Sequence, residues 1–313
     1  MDEAHDIPAP DGSGDTLHWR STAARTRTAP RRPAVVLLHG LASNLTRWSE
    51  FVANTRLTRT HDVLRVDLRG HGGSPTRRKL GLELWSADLA ALLDAAEARQ
   101  AIVVGHSLGA QVALHFAAAQ PQRVRAVVLI DPVFRSALHG KWQRIARYGP
   151  LFSIAAATVR ALNRLGLRRR QVPALDLEQL DRAARAALRS PDTEAAFIRQ
   201  YSSTWADLKT FRLAHYLQEL VELFRPLPAP ATYPMPALVL LSTGATFATL
   251  SDTRAIAAGF ALGSVDTIDC HHWPLTERPV EVRERIERWI DALDAAQPGA
   301  AGEAPPAPAQ ARA

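Results

Sequence analysis

The chain predicts an α/β domain: a mostly parallel central sheet, flanked by helices on both faces and interrupted by a helical insertion. Three observations carry this expectation. Short, almost wholly apolar runs recur at residues 34–38, 63–66, 101–104, 123–130 and 237–241. Segments with helical periodicity separate most of them, and strands without polar alternation belong in parallel sheets buried on both sides. Residues 133–235 break the alternation with about a hundred residues of helical pattern and no convincing strand.

Taken in order, residues 1–14 are acidic and rich in Pro and Gly, and read as a flexible tail. Residues 16–20 read as a short edge strand. The run 34–38 ends at His39-Gly40, and a helix is expected over 45–55. The strand 63–66 runs into Asp67 and the glycine-rich Arg69-Gly70-His71-Gly72-Gly73-Ser74-Pro75. A helix over 82–98 carries Leu84, Leu89, Leu92 and Leu93 on one side. After the insertion come a strand at 237–241, a helix at 252–261 and a strand at 265–268. A closing helix at 279–293 spaces Val282, Ile286, Trp289 and Ile290 for one face. The core is thus expected at 15–132 and 236–296. Within the insertion, helices are expected at 141–165, 176–190, 194–204 and 211–223, closed by the Pro-rich 225–230. The Ala/Pro-rich 297–313 reads as a disordered tail.

Composition narrows the classes. Of 313 residues, 47% are hydrophobic and the net charge is +7. Arginine clusters occur at 31–32, 77–79 (with Lys79) and 168–170, but no aromatic interleaving or nucleic-acid motif accompanies them. A solvated basic surface is expected, with no nucleic-acid partner. The single cysteine, Cys270, excludes an intramolecular disulfide. No N-terminal apolar segment marks secretion, and the uncharged run 151–159 is too short for the ~20 residues that span a bilayer. These features suggest a cytoplasmic location without a transmembrane segment. No paired cysteines, His-Glu-x-x-His pattern or dinucleotide fingerprint is present, so no metal or cofactor is expected.

The most specific motif is Gly105-His106-Ser107-Leu108-Gly109, which fits G-x-S-x-G between an apolar run and a helix-forming run. The glycines let the chain turn sharply, lifting the Ser107 hydroxyl above the sheet and leaving the Leu108 N–H at a helix start. A serine nucleophile needs a base, a group to orient that base, and donors for an oxyanion. The candidate base is His272, after the last strand and before the last helix, with His271 as competitor. His39 and His71 sit in glycine turns and read as structural, while His139 and His215 lie in the insertion. The second oxyanion donor is expected to be the Leu41 N–H. One such donor contributes ~3 kcal/mol of transition-state stabilisation.

Together these segments resemble the α/β-hydrolase fold family, in particular serine esterase-like members with a helical cap. The resemblance rests on His39-Gly40-Leu41-Ala42-Ser43-Asn44, Asp67-Leu68-Arg69-Gly70-His71-Gly72-Gly73-Ser74, the Gly-His-Ser-Leu-Gly elbow, and His272-Trp273-Pro274 with Glu277-Arg278-Pro279. It implies Ser107 as nucleophile, His272 as base and Leu41 and Leu108 as oxyanion donors, with residues 133–235 as the cap. In one respect the chain departs from the pattern. Most relatives carry an acid after the strand at 237–241, in a segment like G-x-x-D. Here Phe247 or Ala245 takes its place, depending on register. Some members place the acid on the preceding strand, which points to Asp131. Asp252 is the alternative, and a Ser–His dyad or another acid remains open.

The expected activity is hydrolysis of a carboxylic ester, lactone or thioester through an acyl-enzyme, on a small-molecule acyl substrate. Carbon–carbon bond hydrolysis or cofactor-free peroxidation on the same residues is the alternative within this fold. A weakly catalytic binding protein is the alternative from another class. Trp48, Phe134, Trp142 and Trp205 are expected as apolar pocket walls.

Overall fold

The apolar runs become the central strands of one eight-stranded sheet, in the order β1-β2-β4-β3-β5-β6-β7-β8. The structure, a computed structural model, describes residues 2–26, 31–169, 172–187, 197–199, 201, 203–244 and 247–296. The strands are β1 (Asp2–Pro8), β2 (Thr16–Thr22), β3 (Ala34–Leu38), β4 (Val63–Val66), β5 (Ala101–His106), β6 (Val124–Ile130), β7 (Ala237–Ser242) and β8 (Gly263–Ile268). From β4 to β8 along the sheet every pairing is parallel, while β1 and β2 are antiparallel to their neighbours.

Alternate residues of each central strand face opposite helical layers. Val36, Leu38, Val103, Val127 and Val239 point to one core, against α2 (Leu82–Ala95), α3 (Leu108–Ala119) and Ala257 of α9 (Leu250–Ala257). Val35, Leu37, Ile102, Val104, Val128 and Leu240 point to the other, against Phe51 of α1 (Ser49–Asn54) and Val282, Ile286 and Ile290 of α11 (Pro279–Ala295). The short α10 (Pro274–Glu277) precedes α11.

Residues 2–8 are not a loose tail: they form the edge strand β1, and β2 lies inside the sheet. Charge and ring contacts hold β1, where hydrophobic periodicity gives no signal. Asp2 pairs with Arg20 at 2.7 Å and also with Arg65, and the His5 ring stacks on Trp19 at 4.2 Å.

The insertion is helical, with corrected boundaries. The helix expected over 141–165 is two helices, α4 (Gly140–Arg147) and α5 (Gly149–Arg164). Gly149-Pro150 opens the second, since proline fits a first turn but not a helix interior. Then follow α6 (Leu177–Ala187), α7 (Thr204–Thr210) and α8 (Leu213–Leu223). Most of the helix expected over 194–204, and all of 297–313, lie outside the described residues. Helix α5 packs on α8. Helix α6 docks on the core through a buried ion pair between Asp181 and Arg47, with Thr276 and Tyr201 hydroxyls donating to Asp181 at 3.1 and 2.9 Å.

Candidate active site

The chain turns from β5 into α3 at Ser107, whose φ of 53° lies in the left-handed region. A non-glycine residue held there costs about 1–3 kcal/mol, which the surrounding packing must offset. A side chain at Gly105 would begin 2.2 Å from the Gly109 carbonyl oxygen. One at Gly109 would begin 2.5 Å from that of Leu38. The turn therefore closes only with glycine at both positions. Ala42 and Asp131 also have positive φ, at 48° and 46°.

His272 follows β8 in a loop pinned by His106, whose Nε2–H donates to the His272 carbonyl at 3.0 Å. Burial and the neighbouring His272 lower the His106 pKa to about 3, so it remains a neutral structural donor. His272 Nε2 is 3.2 Å from Ser107 Oγ, and its Nδ1 is 3.3 Å from Asp131 Oδ2. The second contact is not yet in line for a hydrogen bond, as happens where such bonds tighten on substrate binding. Serine, histidine and aspartate are all buried.

Asp131 ends β6, where its carboxylate receives Ser242 N–H at 2.7 Å and Ser242 Oγ–H at 2.6 Å. Burial pushes the Asp131 carboxyl up. His272 and the two Ser242 donors outweigh that and hold it below the ordinary carboxylate value. Cys270 donates to Ser242 Oγ at 3.3 Å, and burial raises its thiol to about 12, so it is not a nucleophile near neutral pH. His106, Asp131 and His272 offer ligand-type atoms within 4.8 Å of one another. Their contacts to backbone, hydroxyl groups and each other account for that cluster.

Asp252, the alternative acid, is exposed in the first turn of α9, where its N–H donates to the Thr249 cap at 3.1 Å. That cap starts the helix two residues before the expected 252. His271 points its Nδ1 at Glu277, 3.0 Å away. Phe247, one of the two residues expected in place of an acid, stands edge-on to the His272 ring at 4.8 Å.

On the opposite side of Ser107 runs the turn His39-Gly40-Leu41. A Cβ on Gly40 would lie 3.5 Å from that of Ser107. His39 Nδ1–H donates to the Gly40 carbonyl at 2.9 Å and its Nε2 accepts Leu68 N–H at 3.1 Å, which fixes its tautomer. The Leu108 N–H is the first of α3, so it has no acceptor within the helix and lies at the positive end of its dipole.

One group here carried no sequence signal. Glu219 of α8 reaches across from the insertion, and its Oε2 accepts the Ala42 N–H at 3.0 Å. Its Oε1 lies 2.7 Å from His71 Nε2, and both side chains are fully buried. Burial lowers the His71 pKa but the Glu219 charge outweighs it, so the net direction is up. The stabilisation is complete below the unfolded imidazole value, about 6.5, and is lost as pH rises through the raised folded value. We expect Glu219→Gln to cost on the order of 1–3 kcal/mol near pH 6, with the difference from wild type shrinking toward alkaline pH. Urea unfolding across that range checks this. A pH-independent difference would exclude the pair as its source.

The four expected pocket aromatics separate. Trp48 is core, wholly buried with its ring edge-on to Phe51. Trp205 is 80% exposed. Aromatic character alone does not show which way a ring faces. Phe134 is half-buried against the core. Trp142 lies tilted against Phe247 at 4.7 Å, one ring removed from His272. A cavity of about 630 Å³ lies between the core loops and the insertion, lined by Ala42, Ser43, Asp67, Phe211, Arg212 and His215 among others.

The sequence matches the alpha/beta hydrolase fold family over residues 33–279. The chain belongs to that family. Among curated proteins, this α/β-hydrolase-fold chain is 38% identical over 107 residues to "Lipase LipV" of Mycobacterium tuberculosis, covering 34% of this chain and 40% of that protein. The match thus spans less than half of the relative's length. Among solved structures, it superposes on a hydrolase from Pseudomonas aeruginosa with TM-score 0.64 and 23% identity, covering 92% and 98% of the two chains. An esterase from Thermogutta terrifontis gives TM-score 0.64 and 20% identity over 93% and 99%. At these identities the superpositions establish the fold of this α/β-hydrolase-fold protein. Among the described residues no helix is long and apolar enough to cross a membrane.

Proposed function

We propose that the protein is a serine hydrolase acting on a carboxylic ester or a closely related acyl compound. The observation that carries this reading is the continuous contact from Ser107 Oγ to His272 Nε2, and from His272 Nδ1 to Asp131. In the proposed reaction, Ser107 Oγ attacks the substrate carbonyl while His272 Nε2 takes the hydroxyl proton. Asp131 keeps the Nδ1 proton in place and stabilises the imidazolium. The Leu41 and Leu108 N–H groups receive the developing oxyanion. Collapse of the tetrahedral species breaks the acyl–oxygen bond, and His272 gives its proton to the departing alcohol. Water then attacks the acyl-enzyme with His272 again as base, releasing the acid and restoring Ser107. A small pocket lined by Asp131, Val133, Phe247, Leu250 and His272 borders the imidazole, and Trp142 with Phe247 gives an apolar wall there.

A fluorophosphonate probe tests this directly, because it needs an activated serine. Wild type should label at Ser107 and lose both label and p-nitrophenyl ester turnover when Ser107 becomes alanine. Folded wild-type protein that takes no label would leave the fold as a binding scaffold and end this reading.

A further inference from the structure

We propose that the outer face of α5 is a docking surface for an anionic lipid bilayer. Leu151, Ile154, Thr158, Leu162 and Leu165 recur at helical spacing and share roughly 80° of arc at the usual 3.6 residues per turn. All five are exposed: Leu151 is 58%, Ile154 64% and Leu165 79% accessible. The buried side of the same helix, marked by Ala156, is the opposite one. Tyr148 and Leu167 extend the stripe at its two ends. Six of the eleven large exposed hydrophobic residues among those described fall between 148 and 167, so the apolar surface is concentrated on α5 and its two ends. A contiguous patch of this kind on a globular protein marks an interaction surface.

Charge identifies the occupant. From residue 132 to 175 there is no Asp or Glu and there are nine Lys and Arg. The whole chain carries +7, so the rest of it is slightly acidic. The basic charge that looks scattered along the sequence belongs largely to this one segment. Lys141, Arg144 and Arg147 precede the stripe, and Arg164 and Arg168 follow it. All five are exposed, and among the described residues none pairs with a carboxylate. A second copy docking by this face would bring like charges together. A nucleic acid would leave the aliphatic stripe unused. An anionic bilayer uses both, with the side chains in the acyl boundary and the guanidinium groups at the headgroups. At 16 residues α5 is too short to span, so it lies in the membrane plane.

Vesicle co-sedimentation of the full chain tests this, comparing phosphatidylcholine with equal mixtures of phosphatidylcholine and phosphatidylglycerol. Binding should be about tenfold stronger on the anionic vesicles and should fall at high salt. The triple variant Leu151→Ser, Ile154→Ser, Leu165→Ser should lose about tenfold. So should Arg144→Glu, Arg147→Glu, Arg164→Glu. Both should keep wild-type unfolding curves and turnover of a soluble short-chain ester. Ser107→Ala should bind vesicles like wild type, which separates this inference from the catalytic reading. It is overturned by absence of anionic-vesicle binding, by binding that neither variant weakens, or by a dimer that the serine variant dissociates.

Discussion

Asp131→Asn should lower kcat for ester hydrolysis by about 10,000-fold, while leaving KM and the folded state close to wild type. Two donors from Ser242 already face this side chain. An asparagine there accepts the Ser242 N–H with its carbonyl oxygen at the Oδ1 place, which puts its NH2 group at the Oδ2 place, donating toward Ser242 Oγ and His272 Nδ1. An imidazole that accepts at Nδ1 carries its proton on Nε2, and Nε2 then cannot take the Ser107 proton. The substitution thus changes the tautomer rather than the packing. Asp252→Asn, on the exposed turn of α9, should change kcat by no more than about twofold, in the range of ordinary surface substitutions. Steady-state kinetics on a p-nitrophenyl ester decides between them. If Asp131→Asn retains most of its turnover, Asp131 does not orient the base.

Gly105→Ala should prevent accumulation of native protein. The added methyl would meet only backbone, with Gly109 O at 2.2 Å, Gly109 C at 2.3 Å and Ala110 N at 2.6 Å. No rotamer change relieves such a clash. Relief requires lifting the start of α3 from β5, where Leu108, Ala110 and Val112 are fully buried. The cost should exceed the usual 1–3 kcal/mol of overpacking and approach the ~5–15 kcal/mol that holds a domain together. Gly149→Ala is the matched control, since nothing lies within 4 Å of a methyl there. It should fold with stability within about 1 kcal/mol of wild type. Soluble yield and urea midpoints of the two variants give the comparison. A well-folded Gly105→Ala protein would show that the elbow can open.

The parallel strands were readable because their residues face core on both sides, which leaves unbroken apolar runs such as Val35–Leu38 in the sequence. Strand β1 was not, because Asp2, Arg20 and Arg65 hold it through charge. The elbow and its histidine carry local motifs. The groups that steady them do not: Ser242 meets Asp131 across 111 residues, and Glu219 meets Ala42 across 177. Nothing in Leu-Ala-His-Tyr-Leu-Gln-Glu-Leu marks its glutamate as a partner for a distant backbone N–H. Phe247 stood out only as one of two positions where an acid was expected, and nothing local marks its ring as a neighbour of His272. The basic charge of the α4–α5 segment was countable all along. Its meaning depended on learning that the leucines between the arginines face outward.

In the proposed reaction the carboxylate comes from the end of β6, which leaves the turn after β7 with no part in proton transfer. Phe247 in that turn touches both the imidazole and Trp142, so on the proposed reading it borders the reacting groups without belonging to their relay. Position 247 is therefore a natural starting point for laboratory evolution. Changing the size of that one ring would reshape the space around an incoming acyl group while the machinery that moves the proton stays intact.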